Sequence, residues 1–202
     1  MILFWRRWGV WLLGALPLAY VFEQAYNAQL GADPARALVQ FLGLWAMRLL
    51  LLCLSMTPCR WLTGQGLWIR YRRPLGLLAF AYASLHLLAY LTLLYGNDGS
   101  AGWHELQKRP YLWLGLAAWL TLLVLAATST QKARRRLGRR WLSLHRSVYG
   151  ALILALAHGA WAQKLPWAGF RGTIILAALL LGWRLGHALW PAQLRKTGSP
   201  PA

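Results

Sequence analysis

Three histidines of this 202-residue chain lie inside long apolar stretches: His86, His145 and His158. Those stretches contain no Asp or Glu. A neutral imidazole is less costly to bury than a carboxylate, and its nitrogen lone pair can bind iron. Proton pumps and cation-coupled transporters usually need an intramembrane acid, so the pattern favours metal or haem ligation over transport. The alternative is that each histidine only donates a hydrogen bond to a neighbouring helix.

Six apolar segments must position these residues. The chain is 58% hydrophobic and only 13% charged, with a mean hydropathy of +0.40, which excludes an ordinary soluble domain. A helix needs about 20 mostly apolar residues to cross a membrane. The segments that approach this length are residues 8–22, 38–58, 75–95, 111–128, 142–163 and 171–190. We therefore predict an all-α integral membrane bundle of six transmembrane helices, forming one domain over residues 1–202.

The distribution of charge predicts the orientation. The chain has 22 Lys and Arg against 4 Asp and Glu, a formal charge of +18, and the basic residues lie between the apolar segments. With the N-terminus inside, fourteen Lys and Arg fall on the inner side and five on the outer side, where all four acids also lie. Basic residues are retained on the cytoplasmic side, so both termini are predicted to be cytoplasmic. The basic run at 132–140 then reads as a topology signal rather than a nucleic-acid site.

The depth of each histidine selects a pair. At about 1.5 Å of rise per residue, His86 lies roughly 17 Å from the cytoplasmic end of its segment, His158 roughly 24 Å and His145 roughly 5 Å. We therefore expect His86 and His158 to bind one haem iron from both faces, which suits electron transfer. His145 is a possible ligand of a second haem. The 13-residue spacing of His145 and His158 turns a straight helix by about 220°, so both share a face only if a bulge intervenes.

Other ionisable residues in or near the segments have weaker assignments. Arg48, in the middle of the second segment, could bind a haem propionate, a flavin phosphate or a quinone oxygen, or could extend its head group towards the membrane surface. Arg184 is near the inner surface, where such snorkelling is favoured. His104 in an outer loop and His187 near the inner end of the last segment are expected to contact solvent or lipid head groups, and neither has an assigned role.

An ordered set of short motifs resembles a known family. The sequence is similar to the MsrQ (YedZ) family, the haem-binding membrane subunits of the bacterial methionine sulfoxide reductase system, within the ferric reductase-like transmembrane group. The matching stretches are residues 30–34, 57–58, 70–77, 85–87, 108–112, 128–131, 137–141, 144–145, 148–149, 158, 161 and 164. They cover roughly residues 28 to 165, and their fixed order is more specific than any single histidine.

The resemblance implies a function. It implies a multi-pass protein of the bacterial inner membrane that carries haem b, one or two groups, and FMN. Electrons from the quinone pool or a cytosolic flavin reductase would pass to a periplasmic molybdopterin partner, MsrP, which repairs methionine sulfoxide in oxidised periplasmic proteins. The family's haem-linked histidines fall on His86, His145 and His158. Sulfoxide reduction itself is expected in the partner, so no catalytic residue is assigned to this chain.

Two functions from other classes remain open at this level. A stand-alone ferric or quinone reductase of the wider group would bind haem but would need no periplasmic partner. A haem-free membrane scaffold would use the histidines only for packing, and the purified protein would be colourless.

Overall fold

The computed structural model describes residues 2–96, 98–162 and 170–189, and in these ranges the regular structure is entirely helical. The helices are α1 (Ile2–Tyr26), α2 (Pro34–Thr63), α3 (Trp68–Tyr95), α4 (Gly99–Lys108), α5 (Pro110–Ala127), α6 (Gln131–Leu137), α7 (Arg139–Arg146), α8 (Val148–Ala162) and α9 (Arg171–Leu189). The predicted all-α class is therefore confirmed for the described part of the chain.

The long helices begin and end at recognisable residues. Asp33 caps α2 by accepting a hydrogen bond from the Arg36 amide at 3.0 Å, and Pro34 follows at the first helical position. At the other end of α2, Gly64 adopts φ 70°, a left-handed conformation that glycine enters without a Cβ penalty. Pro110 likewise begins α5. The helices α2, α3 and α5 contain most or all of the predicted segments 38–58, 75–95 and 111–128.

The fifth predicted segment, 142–163, is not one continuous helix. α7 ends at Arg146 and α8 begins at Val148. Between them, the Ser147 hydroxyl donates to the Leu144 carbonyl at 2.7 Å, and the Ser147 amide donates to the same oxygen. A serine that satisfies a carbonyl in this way competes with the helical hydrogen bonds, so the i→i+4 pattern is interrupted here, although the Ser147 backbone stays right-handed helical (φ −62°, ψ −11°). The prediction of an unbroken helix was wrong at this position.

Two of the stretches predicted as loops also contain helices. α4 occupies the loop between α3 and α5, where the Asp98 side chain caps the first turn by accepting from the amides of Ser100 and Ala101. α6 lies in the basic stretch after α5 and is capped by Thr130. Both are short, and polar or basic residues dominate them, which explains why a search for apolar segments missed them.

Two helix pairs form the centre of the bundle. α2 packs along α3, and α5 packs along α8, with α3 contacting α5 between the pairs. The core is built mainly from aliphatic side chains, with Met47, Tyr82 and Phe170 among them, and its largest fully buried side chains are Leu54, Tyr82 and Leu152. The Tyr82 hydroxyl donates to the Gly14 carbonyl at 2.6 Å and thereby joins α1 to α3.

The outer surface of the bundle is apolar. Large side chains such as Leu88, Ile153 and Leu179 are more than half exposed. A water-soluble protein rarely exposes so much contiguous apolar surface, whereas a bilayer covers it. By length and composition, α2, α3 and α5 are able to cross a membrane among the described helices. The structure therefore supports a membrane protein and does not test the predicted number of six spans.

Candidate functional site

His86 is fixed on α3 by a contact with α2. Its Nδ1 lies 2.8 Å from the carbonyl oxygen of Val39. A carbonyl can only accept, so Nδ1 carries the proton, and the lone pair is left on Nε2. One turn further along α2, Gly43 lies flat against the ring, because a Cβ placed there would be 3.0 Å from His86 Nδ1. The missing side chain at Gly43 gives the imidazole its space.

His158 is fixed in the same way by the second helix pair. Its Nδ1 lies 2.8 Å from the carbonyl oxygen of Tyr111 on α5, which again leaves the lone pair on Nε2. One turn along α5, Gly115 lies against the ring, where a Cβ would be only 2.8 Å from Nδ1 and Cε1. The Tyr111 ring also packs on the imidazole, with the centroids 5.7 Å apart.

The two histidine settings are repeats of one arrangement. In each, the histidine follows its carbonyl partner by 47 residues, and the glycine follows that partner by four. His86 and His158 are themselves 72 residues apart, as are Gly43 and Gly115. The α2–α3 and α5–α8 pairs therefore present equivalent imidazoles to each other, which we call the paired histidine clamps.

The clamps bring the two imidazoles to a spacing that suits a single iron. Their ring centroids are 6.2 Å apart and their planes are inclined at 81°. Two metal–nitrogen bonds of about 2 Å, plus about 1.1 Å from each nitrogen to its ring centre, sum to about 6 Å. No group of three or more His, Cys, Asp or Glu among the described residues could hold a bare metal ion. A haem supplies four equatorial nitrogens itself, so two imidazoles are sufficient for it.

The clamp at His158 is connected to α4 by polar contacts. The Tyr111 hydroxyl accepts a hydrogen bond from Arg109 Nη1 at 3.2 Å, and Arg109 also pairs with Glu105 on α4. Tyr111 and Glu105 together raise the pKa of the Arg109 guanidinium above its usual value. A chain of polar contacts thus runs from α4 to the residue whose carbonyl holds His158.

His145 is placed apart from the clamps, on α7. Its Nε2 lies 3.2 Å from the Thr128 hydroxyl, and its ring stacks on Trp141 with the centroids 4.0 Å apart. The Trp141 indole N–H donates to the Thr128 carbonyl at 3.0 Å. Because the helix is interrupted at Ser147, the angle calculated for a straight helix does not apply. His145 as an iron ligand stays a prediction, and it would require Nε2 to leave Thr128.

Arg48 lies away from the clamps. It follows Val39 by nine residues, which places it about 180° around α2 from the face that holds His86. The side chain is exposed on the bundle surface, and its guanidinium lies 5.1 Å from the centre of the Trp45 ring. This position does not support a contact between Arg48 and a propionate of a haem bound at the clamps. A ligand that approaches from the lipid bilayer can reach Arg48.

The remaining candidates are widely separated. His104 is exposed on α4, as expected for an outer loop residue. Arg184 on α9 lies over the Tyr149 ring at 4.8 Å, and its Nη2 is buried without a hydrogen-bond partner. That Arg184 extends its head group to the membrane surface stays a prediction. The side chain of His187 lies outside the described residues.

Sequence reasoning missed the residues that hold the histidines. Val39 and Tyr111 act through backbone carbonyls, and Gly43 and Gly115 act through the absence of a side chain, so residue type gave no signal. The sequence did contain one usable signal, an internal repeat with an offset of 72 residues. The same offset relates Leu42 to Leu114 and Ala83 to Ala155, and it would have pointed to the two equivalent histidine sites.

Comparison with known proteins identifies the family of this chain. Residues 42–156 match the family of the ferric reductase-like transmembrane component. The chain is 43% identical over its whole length to the protein-methionine-sulfoxide reductase heme-binding subunit MsrQ of Xanthomonas axonopodis pv. citri, covering 88% of that relative. The subunit of the same name from Yersinia pseudotuberculosis is 42% identical over 90% of this chain and 91% of its own length.

A third relative with that name, from Xanthomonas campestris pv. campestris, is 46% identical over 86% of this chain and 80% of its own length. The matched residues cover most of α2, all of α3 and α5 and more than half of α8; His86 lies within them, and His158 lies two residues beyond their end. Identity above 40% over nearly complete chains leaves no doubt about common ancestry. The chain belongs to the MsrQ family of haem-binding subunits, within the ferric reductase-like transmembrane group.

Proposed function

We propose that this protein carries haem b between His86 and His158 and passes electrons across the bacterial inner membrane to a periplasmic methionine sulfoxide reductase, MsrP. The observation that carries the proposal is the pair of clamps, with two Nε2 lone pairs on rings 6.2 Å apart. Two axial imidazoles leave no open coordination position, which suits electron transfer rather than chemistry on a bound substrate. Sulfoxide reduction then belongs to the partner.

The chain's own residues have defined tasks in this function. The Val39 and Tyr111 carbonyls hold the Nδ1 protons, which orients both rings and makes Nε2 more basic. Gly43 and Gly115 allow the helices to approach the rings, and the surrounding aliphatic side chains exclude water. Bound haem supplies reversible one-electron chemistry.

Absorption spectra of the purified protein test the proposal. We expect the oxidised and dithionite-reduced wild type to show the bands of a six-coordinate b-type haem, and His86→Ala and His158→Ala to lose them. His104→Ala is the matched control, because His104 is exposed on α4 and should leave the spectrum unchanged. The haem-to-protein ratio of His145→Ala tests the second haem, since a drop by half would assign one to His145.

The same spectra, combined with rates of electron transfer to MsrP, ferric iron and quinone, separate the alternatives. A colourless, monodisperse wild type expressed with added haem would support the haem-free scaffold. A haem protein that reduces ferric iron or quinone at full rate but gives no electrons to MsrP would support the stand-alone reductase. Either result would overturn the proposed function.

For the electron donor, we propose the quinone pool, with a cytosolic flavin reductase as the second candidate. The exposed Arg48 and the partly buried Trp45 form a cation–aromatic pair halfway along α2, where a quinone diffusing in the membrane can contact Arg48. A guanidinium can donate hydrogen bonds to a quinone oxygen. Arg48→Leu should then slow haem reduction by quinol and leave reduction by a flavin reductase unaffected. Equal rates for wild type and variant with quinol would contradict this role.

FMN is proposed as a second cofactor because the family resemblance implies it. A flavin can exchange one or two electrons and so connects two-electron donors to a one-electron haem. Its phosphate requires positively charged or N–H donors nearby, and basic residues are concentrated at the inner end of the bundle. Release of flavin from the purified protein by acid, measured by fluorescence, tests this cofactor independently of haem.

The outer end of the bundle is the proposed docking surface for MsrP. Residues 24–36 and 96–109 form it, together with the end of α1. Asp33 pairs with Arg36, and Glu105 pairs with Arg109, so charge reversal at either also breaks a local contact. Glu23 is exposed and forms no ion pair among the described residues, which makes it the cleaner probe.

We expect Glu23→Lys to slow electron transfer to MsrP severalfold at low ionic strength. Charged residues at the edge of an interface mainly control how fast the two proteins associate. Haem content and reduction by dithionite should stay normal. Gln24→Lys adds a positive charge without removing the acid and serves as the control. Equal transfer rates for wild type and Glu23→Lys at all salt concentrations would place the docking surface elsewhere.

A further inference from the structure

Arg184 is partly exposed, but one nitrogen of its guanidinium, Nη2, is buried and lacks a hydrogen bond. Its Cζ lies 4.8 Å from the centre of the Tyr149 ring, and Nη2 is buried with no hydrogen-bond partner. A buried charged donor without an acceptor is costly, because it has lost water and gained nothing in return. The site therefore lacks a group that can accept from Arg184.

A second guanidinium, that of Arg72, lies within electrostatic range of this one. Arg72 and Arg184 are close enough to interact electrostatically, and both are close to Cys53. The Cys53 thiol donates to the Arg72 carbonyl at 3.1 Å, which fixes α2 to α3 at this level. Arg72 also interacts with His145 on α7. Two like charges held together in this way repel each other unless an anion lies between them.

The sequence provides no carboxylate for this position. All four acids, Glu23, Asp33, Asp98 and Glu105, lie at the ends of α1 and α3, at the start of α2 and in α4. These positions are at the opposite end of the antiparallel helices from Arg72. No Asp or Glu side chain of this chain can therefore neutralise the pair.

A further buried polar atom lies on α2, one turn from Cys53. Thr57 is one turn beyond Cys53, and its hydroxyl oxygen is buried without a hydrogen-bond partner. A hydroxyl can donate to an anionic oxygen. The Arg72–Arg184 cluster, defined as Cys53, Thr57, Arg72, Tyr149 and Arg184, thus combines two guanidiniums with two incompletely bonded donors.

We propose that the Arg72–Arg184 cluster binds the phosphate group of a ligand at the inner end of the bundle. Two guanidiniums match phosphate well, because each offers N–H donors in a planar fork and phosphate offers several acceptor oxygens. The phosphate belongs either to a phospholipid head group or to FMN, and both sources place the same chemistry in the cluster. This inference rests on α2, α3, α8 and α9 and is independent of haem at the clamps.

Binding of two probes tests the proposal. Wild type, Arg72→Gln, Arg184→Gln and Arg184→Lys are purified, and Arg70→Gln is the matched control, because Arg70 is exposed two residues from Arg72 on the same helix. One arm titrates FMN in phosphate-free buffer and follows quenching of flavin fluorescence. The other arm uses nanodiscs of phosphatidylcholine with a minor fraction of phosphatidylglycerol. The protein is released from the nanodiscs in the mass spectrometer, and native mass spectrometry counts the phosphatidylglycerol molecules that stay bound to it.

We expect wild type and Arg70→Gln to bind one of the probes equally, and both Gln variants to bind it about tenfold more weakly or worse, as loss of a charge-assisted hydrogen bond predicts. Arg184→Lys should recover part of the binding, which an effect on folding alone would not produce. FMN binding identifies the flavin phosphate, and retained phosphatidylglycerol identifies the lipid. Wild type that binds neither probe, or Gln variants that bind like wild type, would overturn the proposal.

Discussion

At the scale of single residues, each of the two clamp histidines is oriented by a backbone carbonyl on a neighbouring helix. Val39 holds His86 and Tyr111 holds His158, both at 2.8 Å. A backbone carbonyl accepts a hydrogen bond whatever side chain its residue carries. The orientation of the two imidazole rings therefore depends on how closely the helices of each pair approach each other. Gly43 and Gly115 permit that approach, and substitution at these positions should report directly on the site.

Adding a methyl group at the glycines should weaken haem binding. In Gly115→Ala the new Cβ would lie 2.8 Å from His158, so the ring must move and lose its bond to Tyr111. Overpacking of this kind lowers the stability of the folded protein by about 1–3 kcal/mol. We therefore expect a lower haem-to-protein ratio and a shifted midpoint potential of the haem. Gly43→Ala, with 3.0 Å to His86, should have the smaller effect.

Gly150→Ala is the matched control for these two variants. Gly150 lies on α8 with His158, and a Cβ there would meet no atom within 4 Å. Its haem-to-protein ratio and midpoint potential should equal those of the wild type. A Gly115→Ala protein indistinguishable from Gly150→Ala would show that the close contact does not position His158.

The angle between the imidazole planes predicts a magnetic signature. The rings are inclined at 81°, and nearly perpendicular axial ligands leave the two iron orbitals that interact with them almost equal in energy. Electron paramagnetic resonance of the oxidised protein should therefore show one dominant feature at unusually high g. A well-resolved three-line rhombic spectrum, as nearly parallel rings give, would contradict the observed orientation.

At the scale of elements, the short outer helix α4 depends on an acidic cap. The Ser100 hydroxyl and the amides of Ala101 and Ser100 hold the pKa of the Asp98 carboxyl below its usual value. The folded pKa is lower than the unfolded one, so the capping contribution is present above the unfolded pKa of about 4 and is lost as pH falls through the folded pKa.

Acidification should therefore loosen α4 before it affects the long helices. We expect hydrogen-exchange protection of residues 99–108, corrected for the intrinsic pH dependence, to fall below about pH 4. Asp98→Asn retains an acceptor but does not titrate in this range, so its protection should be nearly independent of pH. A wild type with the same flat profile would show that the Asp98 cap does not control α4.

At the scale of the whole molecule, the charges divide the bundle into two ends. Basic residues are concentrated at the end of α2, at the start of α3 and in α6 and α7, while the acids and their ion pairs with Arg36 and Arg109 lie at the opposite end. Because basic segments are retained in the cytoplasm, we expect the α6–α7 end to be inside and α4 to be outside.

Reporter fusions test this orientation. Alkaline phosphatase fused after Gly31 or Gly99 should be active, because these positions are outside, and fusions after Gly66 or Gly138 should be inactive. A cytoplasmically folding fluorescent protein should give the opposite pattern at the same four positions. Phosphatase activity after Gly138 would reverse the orientation and would also move the proposed docking surface to the other end.

The sequence was sufficient for the helical class, for the long helices α2, α3 and α5 and for the separation of charge. Apolar length and loop charge decide these features locally, and no contact between distant residues is needed. Residue type and depth also selected His86 and His158, which the structure places side by side. Their role as iron ligands stays a prediction until a spectrum is measured.

Only the tertiary structure revealed how the residues are used. Contacts from Val39, Gly43, Tyr111 and Gly115 depend on the approach of two helix pairs, and backbone groups leave no mark in residue type. The interruption of the helix at Ser147, the engagement of His145 with Thr128 and the burial of Arg184 Nη2 were decided in the same way. Hydropathy determines which segments enter the membrane, but packing between helices determines which side chains meet inside it.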